Sequence, residues 1–432
     1  MISIRGRRNG ATVSAHAERV GVVGWLGVLA LACGALQSIV TSVWPVVESK
    51  LLDDAAVFLL AGALLFRIRG SRLWPLLLIA AWAAIGALAL MHSETPLSTS
   101  VLMYRQILMP AVLIYCGLLL TPAEWKLLVR VGIGIAVLCC LYVPLDLAGI
   151  RPFDLAALNS ADPLGARGLR DGDAPGSFWY YWGDSGDQRI PRAGGIFLNP
   201  PVMGIAVGTA FALAGTLSLR RRFKIPLMIV LGVGTAFTFS RAGILIAALG
   251  VVLPWLLRRL GVLWSGVLVG LTAFAAYFLI SEHGKSVRHV DGLIQGLQDS
   301  FTTPWGMGYG NVGNNAKRLG QTLSGESLLG IAFSSSGVIA VAIVALLALT
   351  LIINSLRNTQ RTLSCIALSG LAAAALSESA GALNGSMLLW MACGVAIGHS
   401  PRLSIESVKT ALTRRTPSDA PGEHQAAASR AH

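Results

Sequence analysis

The stretch LLGIAFSSSGVIAVAIVALLALTLIIN, from Leu328 to Asn354, contains no charged side chain. An α-helix rises about 1.5 Å per residue, so roughly 20 apolar residues cross the hydrocarbon core of a bilayer, which is about 30 Å thick. This stretch is long enough to do so, and it predicts a transmembrane helix. Similar stretches recur along the whole chain.

We expect about twelve transmembrane helices from these apolar runs. Their approximate bounds are Val20–Val40, Leu51–Phe66, Leu73–Met91, Thr99–Leu120, Val131–Ile150, Val202–Leu219, Ile225–Phe239, Arg241–Leu257, Val262–Ile280, Leu328–Asn354, Leu363–Ser377 and Gly381–His399. The composition agrees, because 54% of the residues are hydrophobic and 13% are charged, whereas soluble domains carry about 25% charged residues. The predicted fold class is therefore all-α, a polytopic integral membrane protein.

Lysine and arginine collect in alternate connections between the spans, and short loops rich in these residues stay in the cytoplasm. The clusters are Arg5–Arg19, Arg67–Arg72, Lys126–Arg130, Arg220–Lys224, Arg258–Arg259, Arg357–Arg361 and Arg402–Arg430. Simple alternation of the spans puts all of them on one face, which predicts that both termini are cytoplasmic. The net charge of +13 then reflects topology and anionic lipid headgroups, and we expect no nucleic-acid partner.

The map divides the chain into three parts. Residues 1–19 form a cytoplasmic segment, residues 20–399 form the membrane domain, and residues 400–432 form a cytoplasmic tail whose low apolar content predicts disorder. Two connections, 151–201 and 281–327, are long enough to hold structure and are predicted to face the periplasm. The first apolar run is too long for the core of a signal peptide, so we interpret it as an uncleaved span.

The first long connection contains the unbroken aromatic run Phe178–Trp182 among aspartates and arginines. Aromatic faces beside carboxylates suit stacking on sugar rings, whose faces are apolar and whose edges carry hydroxyls. Under this hypothesis, Trp179 is a substrate-binding residue. The alternative is that these rings anchor the connection at the lipid interface, where Trp and Tyr collect.

The second long connection begins with an apolar stripe at helical spacing. The stripe is Val287, Val290, Leu293, Ile294 and Leu297, and it predicts a short amphipathic helix that lies flat on the outer surface. Glycines from Gly306 to Gly313 follow, with Tyr309 among them. They indicate a turn that lets the backbone approach a substrate or lets the connection re-enter the bilayer.

Charged residues near span ends are the next candidates, because a charge at mid-bilayer costs about 2.5 to 3.5 kcal/mol even on lenient insertion scales. The candidates are Arg105, Asp146, Arg241, Glu326 and Glu378, and the map puts each of them at an outer span end. This pattern indicates a cavity that opens to the outside and is lined by arginines with a few acids. The alternative is snorkelling to the interface, which we favour for Asp53, Asp54 and Asp146.

Three short motifs resemble those of the O-antigen ligase and Wzy-type polysaccharide polymerase superfamily. The first is Arg192-Ala-Gly-Gly-Ile-Phe-Leu-Asn199-Pro200, the second is Thr238-Phe-Ser240-Arg241-Ala-Gly243, and the third is Gly308-Tyr309-Gly310 followed by Glu326-Ser327. Their order and spacing are similar to the family pattern from about the fourth span to the twelfth. Ligases of this superfamily typically carry a histidine near Glu326, and this chain does not, which favours an exopolysaccharide polymerase of the xanthan type.

The resemblance implies transfer of a glycan from an undecaprenyl pyrophosphate carrier to a hydroxyl of a lipid-linked repeat unit at the periplasmic face of the inner membrane. The expected partners are this lipid-linked oligosaccharide, membrane lipids, and flippase and chain-length or export proteins. An O-antigen ligase is the alternative within the superfamily. A secondary transporter or lipid-linked oligosaccharide flippase is the alternative outside it, disfavoured because the turn Arg220–Lys224 is short.

The resemblance also assigns roles to individual residues. Arg192 and Arg241 would stabilise the departing pyrophosphate, because guanidinium groups stay charged and bind phosphate oxygens bidentately. Glu326 would accept the proton of the attacking hydroxyl, with Glu378 as the alternative. The other residues assigned to substrate binding are Arg105, Asn199, Tyr309 and Trp179. We expect a metal-independent reaction without a cofactor, since the outer connections show no ligand spacing for a metal.

The topology map makes a direct prediction. A reporter fused near Asp173 or Gly313 will be active outside the cytoplasm, and one fused near Arg221 or Arg258 will be active inside. Fusions of a periplasm-dependent phosphatase and of a cytoplasm-dependent fluorescent protein at the same sites measure this. A cytoplasmic signal at Asp173 would overturn the assignment of the site.

Overall fold

The computed structural model describes residues 20–44, 51–68, 73–148, 150, 180–182, 189–261, 287–310, 327–357 and 360–398. Its helices are α1 (Val22–Val43), α2 (Leu52–Leu65), α3 (Leu73–Met91), α4 (Leu97–Leu119), α5 (Pro122–Leu147), α6 (Pro200–Ala214), α7 (Arg221–Phe237), α8 (Arg241–Arg259), α9 (Val287–Thr302), α10 (Leu328–Leu356), α11 (Arg361–Leu376) and α12 (Leu383–Gly398). Single 3₁₀ turns cover Gly195–Phe197 and Glu378–Gly381.

Helices occupy every predicted span except 262–280, which lies outside the described residues together with segments 1–19 and 400–432. Within the described residues, five helices are long and apolar enough to cross a membrane, namely α1, α4, α5, α8 and α10. Shorter apolar helices are α3, α6, α11 and α12. The broad class is confirmed, and the chain folds as a helical membrane protein.

Two details differ from the sequence prediction. Strands β1 (Tyr180–Trp182) and β2 (Arg189–Pro191) pair antiparallel, with Tyr181 opposite Ile190, so the chain is not entirely helical. Helix α5 begins at Pro122, well before the predicted start, because Thr121 and Glu124 form a capping box: Glu124 donates its N–H to the Thr121 hydroxyl at 3.3 Å, and the Glu124 carboxylate accepts the Thr121 N–H at 3.0 Å.

Small residues bring the central helices together. Gly117 of α4 and Gly394 of α12 lie against the opposite helix so closely that a Cβ on either would overlap backbone atoms. Gly208 of α6 and Gly243 of α8 make the same kind of contact. Close backbone approach through glycine is typical of helix packing in membranes, where van der Waals contact replaces the hydrophobic driving force. Both pairs connect helices that run parallel.

The ends of the helices contact one another in two sets. We call the first the motif end; it includes the end of α5, the starts of α4, α6, α8 and α10, and the turn Glu378–Gly381. The second, the basic end, includes the ion pair between Arg67 and Glu124 at 2.6 Å and the hydrogen bond from Lys224 Nζ to Gly215 O at 2.6 Å. The hydrogen bond with Glu124 raises the pKa of Arg67. Simple alternation assigns each set to a single face.

Helix α9 packs against α10, a contact that its apolar stripe did not specify. Gly296 packs against Gly330, and Asp299 accepts a hydrogen bond from Ser334 Oγ at 2.7 Å, so α9 runs along the first part of α10. Its packed face combines buried glycines, Asp299 and Ser300 with the partly buried Leu293 and Leu297 of the stripe, whereas Ile294 is exposed. The glycines permit a closer approach than larger apolar side chains would.

Helix α10 is broken at Gly337, where φ is 70°. The segment Pro304–Gly308 bonds to the groups that this break frees: Met307 N–H donates to Ser334 O at 2.8 Å, Gly308 N–H to Ser335 O at 3.2 Å, and Val338 N–H to Pro304 O at 3.0 Å. Irregular backbone at membrane depth needs such partners. The connection after α9 thereby becomes part of the helix packing.

Candidate functional site

The carboxylate of Asp146, at the end of α5, holds the first motif, Arg192–Pro200, in place. Asp146 Oδ2 accepts the backbone N–H of Gly194 at 2.7 Å and that of Gly195 at 3.0 Å. Asp146 is only 2% exposed, so the prediction that it snorkels to the interface is wrong. A carboxylate that accepts buried N–H groups makes stronger hydrogen bonds than a neutral acceptor does, and it holds this turn in place.

The first and second motifs lie side by side. Arg192 Nε donates to Thr238 O at 2.9 Å, and Ala193 N–H donates to Phe237 O at 2.9 Å. Ser240 Oγ in turn donates to Pro201 O at 3.3 Å. The structure thus joins the two segments that carry Arg192 and Arg241, although they are separated along the chain by all of α6 and α7.

The two arginines differ in how they are held. Arg192 is half-buried, with part of its guanidinium bonded to the backbone of the second motif. Arg241 is exposed and is the first residue of α8, where Ser240 caps the helix by accepting the Gly243 N–H at 3.2 Å. The positive end of a helix and its unpaired N–H groups favour an anion at this position. An anionic group placed here would meet both the helix end and Arg241.

Both motifs contain backbone strain. Among the described residues, a positive φ outside glycine occurs at Leu198, with φ 49°, and at Phe239, with φ 47°. A bulky side chain in this region is uncommon, and such conformations persist only where the surroundings fix them. Leu198 is fully buried. Its turn directs Asn199 to cap α6, with Asn199 Oδ1 accepting the Val202 N–H at 3.3 Å, so this oxygen, assigned to substrate binding, is engaged within the protein.

The third motif is inserted between α3, α4 and α10. The carbonyl of Tyr309 accepts hydrogen bonds from three hydroxyls, those of Ser93, Thr95 at 2.9 Å and Ser100 at 3.2 Å. Its phenol oxygen lies 2.8 Å from Ser336 Oγ. The side chain is 0% exposed, and burial raises the pKa of its hydroxyl. Tyr309 is therefore enclosed by the protein, and its assignment to substrate binding stays a prediction.

Arg105 is bound to two carboxylates of α2. It forms an ion pair with Asp54, and its Nη2 lies 3.6 Å from Asp53 Oδ1. The aspartates are 2% and 6% exposed, so they are buried rather than snorkelling. A buried carboxylate needs such a partner because desolvation of a lone charge is costly.

Within the described residues, no group of three His, Cys, Asp or Glu side chains lies close enough to hold a metal ion.

The turn Glu378–Gly381 contacts both α4, which carries Arg105, and the start of α10, where the third motif ends. Gln106 Nε2 donates to Glu378 O at 3.1 Å, and Gly381 packs on both Gln106 and Leu328. Ser327 caps α10 by accepting the Gly330 N–H at 3.0 Å. Its neighbour Glu326, predicted as the proton acceptor, lies outside the described residues, as does Trp179.

An apolar cleft begins next to this turn. Helices α3, α4, α10, α11 and α12 line it, and Thr350 is its sole hydroxyl-bearing side chain. Its near end includes Ile107, Leu328 and Trp390, and Trp390 Nε1 donates to Ala380 O at 2.9 Å. The cleft extends along α10 from Leu328 to Thr350.

The roles of Asp146, Gln106 and the hydroxyls around Tyr309 were not predicted. Asp146 carried a usable signal, since it is an acid at a span end that precedes a glycine pair in the next motif. The hydroxyls of Ser93, Thr95 and Ser100 carried none, because a short polar turn between two spans is expected to be solvated.

No family model matches the sequence, and a comparison with curated proteins finds no match either.

The position of Asp146 predicts a graded loss of stability on substitution. Asp146→Leu leaves two buried N–H groups without an acceptor, which costs about 1 to 3 kcal/mol for each group. Asp146→Asn keeps an oxygen acceptor and should lose less. Thermal unfolding of the purified variants measures this, and equal melting temperatures for Asp146→Leu and the parent would contradict the role of the carboxylate.

Proposed function

We propose that the protein is a membrane glycosyltransferase, an exopolysaccharide polymerase of the O-antigen ligase and Wzy-type superfamily. It transfers a glycan from undecaprenyl pyrophosphate to a lipid-linked repeat unit at the periplasmic face of the inner membrane. In this proposal about twelve spans cross the membrane and both termini are cytoplasmic. The observation that carries it is the joining of the Arg192 and Arg241 segments at the motif end.

The reaction needs a stabilised leaving group. A hydroxyl oxygen of the incoming repeat attacks the anomeric carbon of the glycan, and the bond from that carbon to the pyrophosphate oxygen breaks. The electron pair leaves with the pyrophosphate, whose growing negative charge Arg192 and Arg241 stabilise. Arg192 is positioned by Thr238 O, and Arg241 adds the positive start of α8.

The proton of the attacking hydroxyl goes to a carboxylate in this proposal. Glu326 is the first choice, because it precedes Ser327 at the start of α10. Glu378 is the alternative, since its turn contacts α4, α6 and α10. Arg105, also assigned to substrate binding, is bound to Asp53 and Asp54, so these carboxylates compensate its charge.

The apolar cleft supports a lipid-linked substrate. Its length along α10 and its nearly unbroken hydrocarbon lining suit a polyprenyl chain, and burial of each CH₂ group contributes about 0.8 kcal/mol. The near end of the cleft contacts the Glu378–Gly381 turn through Leu328 and Trp390. A chain bound there would place its pyrophosphate at the motif end.

The break in α10 is a feature that broken-helix transporters share. In such transporters the freed backbone groups bind ions or substrate. Here Pro304, Met307 and Gly308 bond to those groups within the protein. This contact favours a fixed architectural break and disfavours the transporter alternative.

The arginines give the first test of this proposal. Arg192→Lys and Arg241→Lys keep the charge but lose the bidentate fork, so each should reduce polymer formation by about 10²-fold or more. Polymerisation of purified lipid-linked repeats measures this, with Arg222→Lys at the basic end as the control. Full activity of both variants would mean that neither arginine contacts the pyrophosphate.

Substitution of each acid by its amide distinguishes the roles of Glu326 and Glu378. Glu326→Gln removes the basic carboxylate but keeps size and hydrogen bonding, so it should abolish turnover and leave binding of the lipid-linked donor intact. Glu378→Gln should retain activity. The same polymerisation assay with chelator present tests metal independence. Normal turnover by Glu326→Gln with an inactive Glu378→Gln would reverse the two roles.

The cleft gives a test of the lipid site. Val344→Trp fills the lining, whereas Leu346→Trp, on the exposed side of the same helix, does not. We expect Val344→Trp to raise the KM for lipid-linked donor about tenfold or more, because the bulky side chain competes with the polyprenyl chain. Unchanged kinetics of Val344→Trp beside an equally active Leu346→Trp would place the chain elsewhere.

A further inference from the structure

A second cavity lies at the basic end, away from both the motif end and the apolar cleft. Trp125 of α5, Thr216 after α6, Arg258 of α8 and Arg361 of α11 line it, together with Gln360 and Thr362. Three helices and the segment after α6 therefore contribute to one polar cavity, which the proposed glycosyl transfer does not use.

The lining of this cavity contains two arginines and no carboxylate. Arg258 and Arg361 both line the cavity, and Arg361 is the first residue of α11. The positive end of that helix adds to them, and its first turn contains no acidic residue. Glu124, next to Trp125 in the chain, is already bound by Arg67 at 2.6 and 2.9 Å.

Exposed apolar side chains lead to the cavity along α8. Val251 and Trp255 are 37% and 56% exposed and lie two turns and one turn before Arg258, respectively, on the same helix face. A hydrocarbon chain on this face would end at the arginine. Trp125 at the cavity is nearly buried, and tryptophan is typical of the membrane interface.

We propose that this cavity binds the phosphodiester of an anionic phospholipid, with its acyl chains along Val251 and Trp255. Arginine forks match two phosphate oxygens at once. Basic pockets between membrane helices bind such headgroups. The site is independent of the proposed glycosyl transfer, and its ligand is a structural lipid rather than a substrate.

The test uses the full-length protein, purified in detergent and stripped of lipid. Phosphatidylglycerol, cardiolipin and phosphatidylcholine with the same acyl chains are added back, and native mass spectrometry measures retained lipid. We expect the anionic lipids to bind about tenfold more tightly than phosphatidylcholine. Arg258→Gln should remove most of this preference, and Arg258→Gln with Arg361→Gln should remove all of it.

Arg221→Gln is the matched control, because Arg221 is exposed at the same end but does not line the cavity. Arg361 also donates to Ser355 O at 3.0 Å, so the Arg258→Gln single variant separates lipid loss from local unfolding. Equal loss in Arg221→Gln, or equal binding of phosphatidylcholine, would overturn the site. Displacement of bound lipid by millimolar inorganic phosphate would overturn the lipid assignment in favour of a soluble phosphate.

Discussion

The carboxylate of Asp146 is the contact on which the motif end depends. It is buried and accepts two backbone N–H groups from Gly194 and Gly195. Unpaired backbone groups are costly in an apolar environment. The same requirement explains the break at Gly337, where Pro304–Gly308 bonds to the freed groups, and the three hydroxyls around the carbonyl of Tyr309. Each irregular segment persists because a specific partner replaces water.

These partners give the proposed chemistry a rigid setting. The first motif is held by Asp146 on one side and by the backbone of Phe237 and Thr238 on the other. Strained turns at Leu198 and Phe239 are fixed between these contacts. In a site that stabilises a leaving pyrophosphate, such fixed donors need little reorganisation when charge develops. The apolar cleft next to the Glu378–Gly381 turn fits the lipid portion of the same substrate class.

The sequence predicted the helices well, because apolar runs of membrane length are a strong signal. The sequence did not predict the features that depend on contacts between distant segments of the chain. The stripe on α9 predicted a helix on the outer surface and gave no sign that Gly292 and Gly296 pack on Gly330. Asp53 and Asp54 resemble interfacial acids in sequence, and only the fold brings Arg105 to them. The motifs identified Arg192 and Arg241 as residues of interest, but their juxtaposition arises from the packing of α6 on α8.

The most direct measurement of the proposed function is the glycan produced by a strain in which this gene is deleted. We expect high-molecular-weight glycan to disappear while single lipid-linked repeats are still made and still reach the outer face of the inner membrane, with recovery on complementation. Repeats that accumulate only on the cytoplasmic face would instead indicate a flippase. Long glycan that remains attached to the carrier would indicate a ligase, and either result would contradict polymerisation at the motif end.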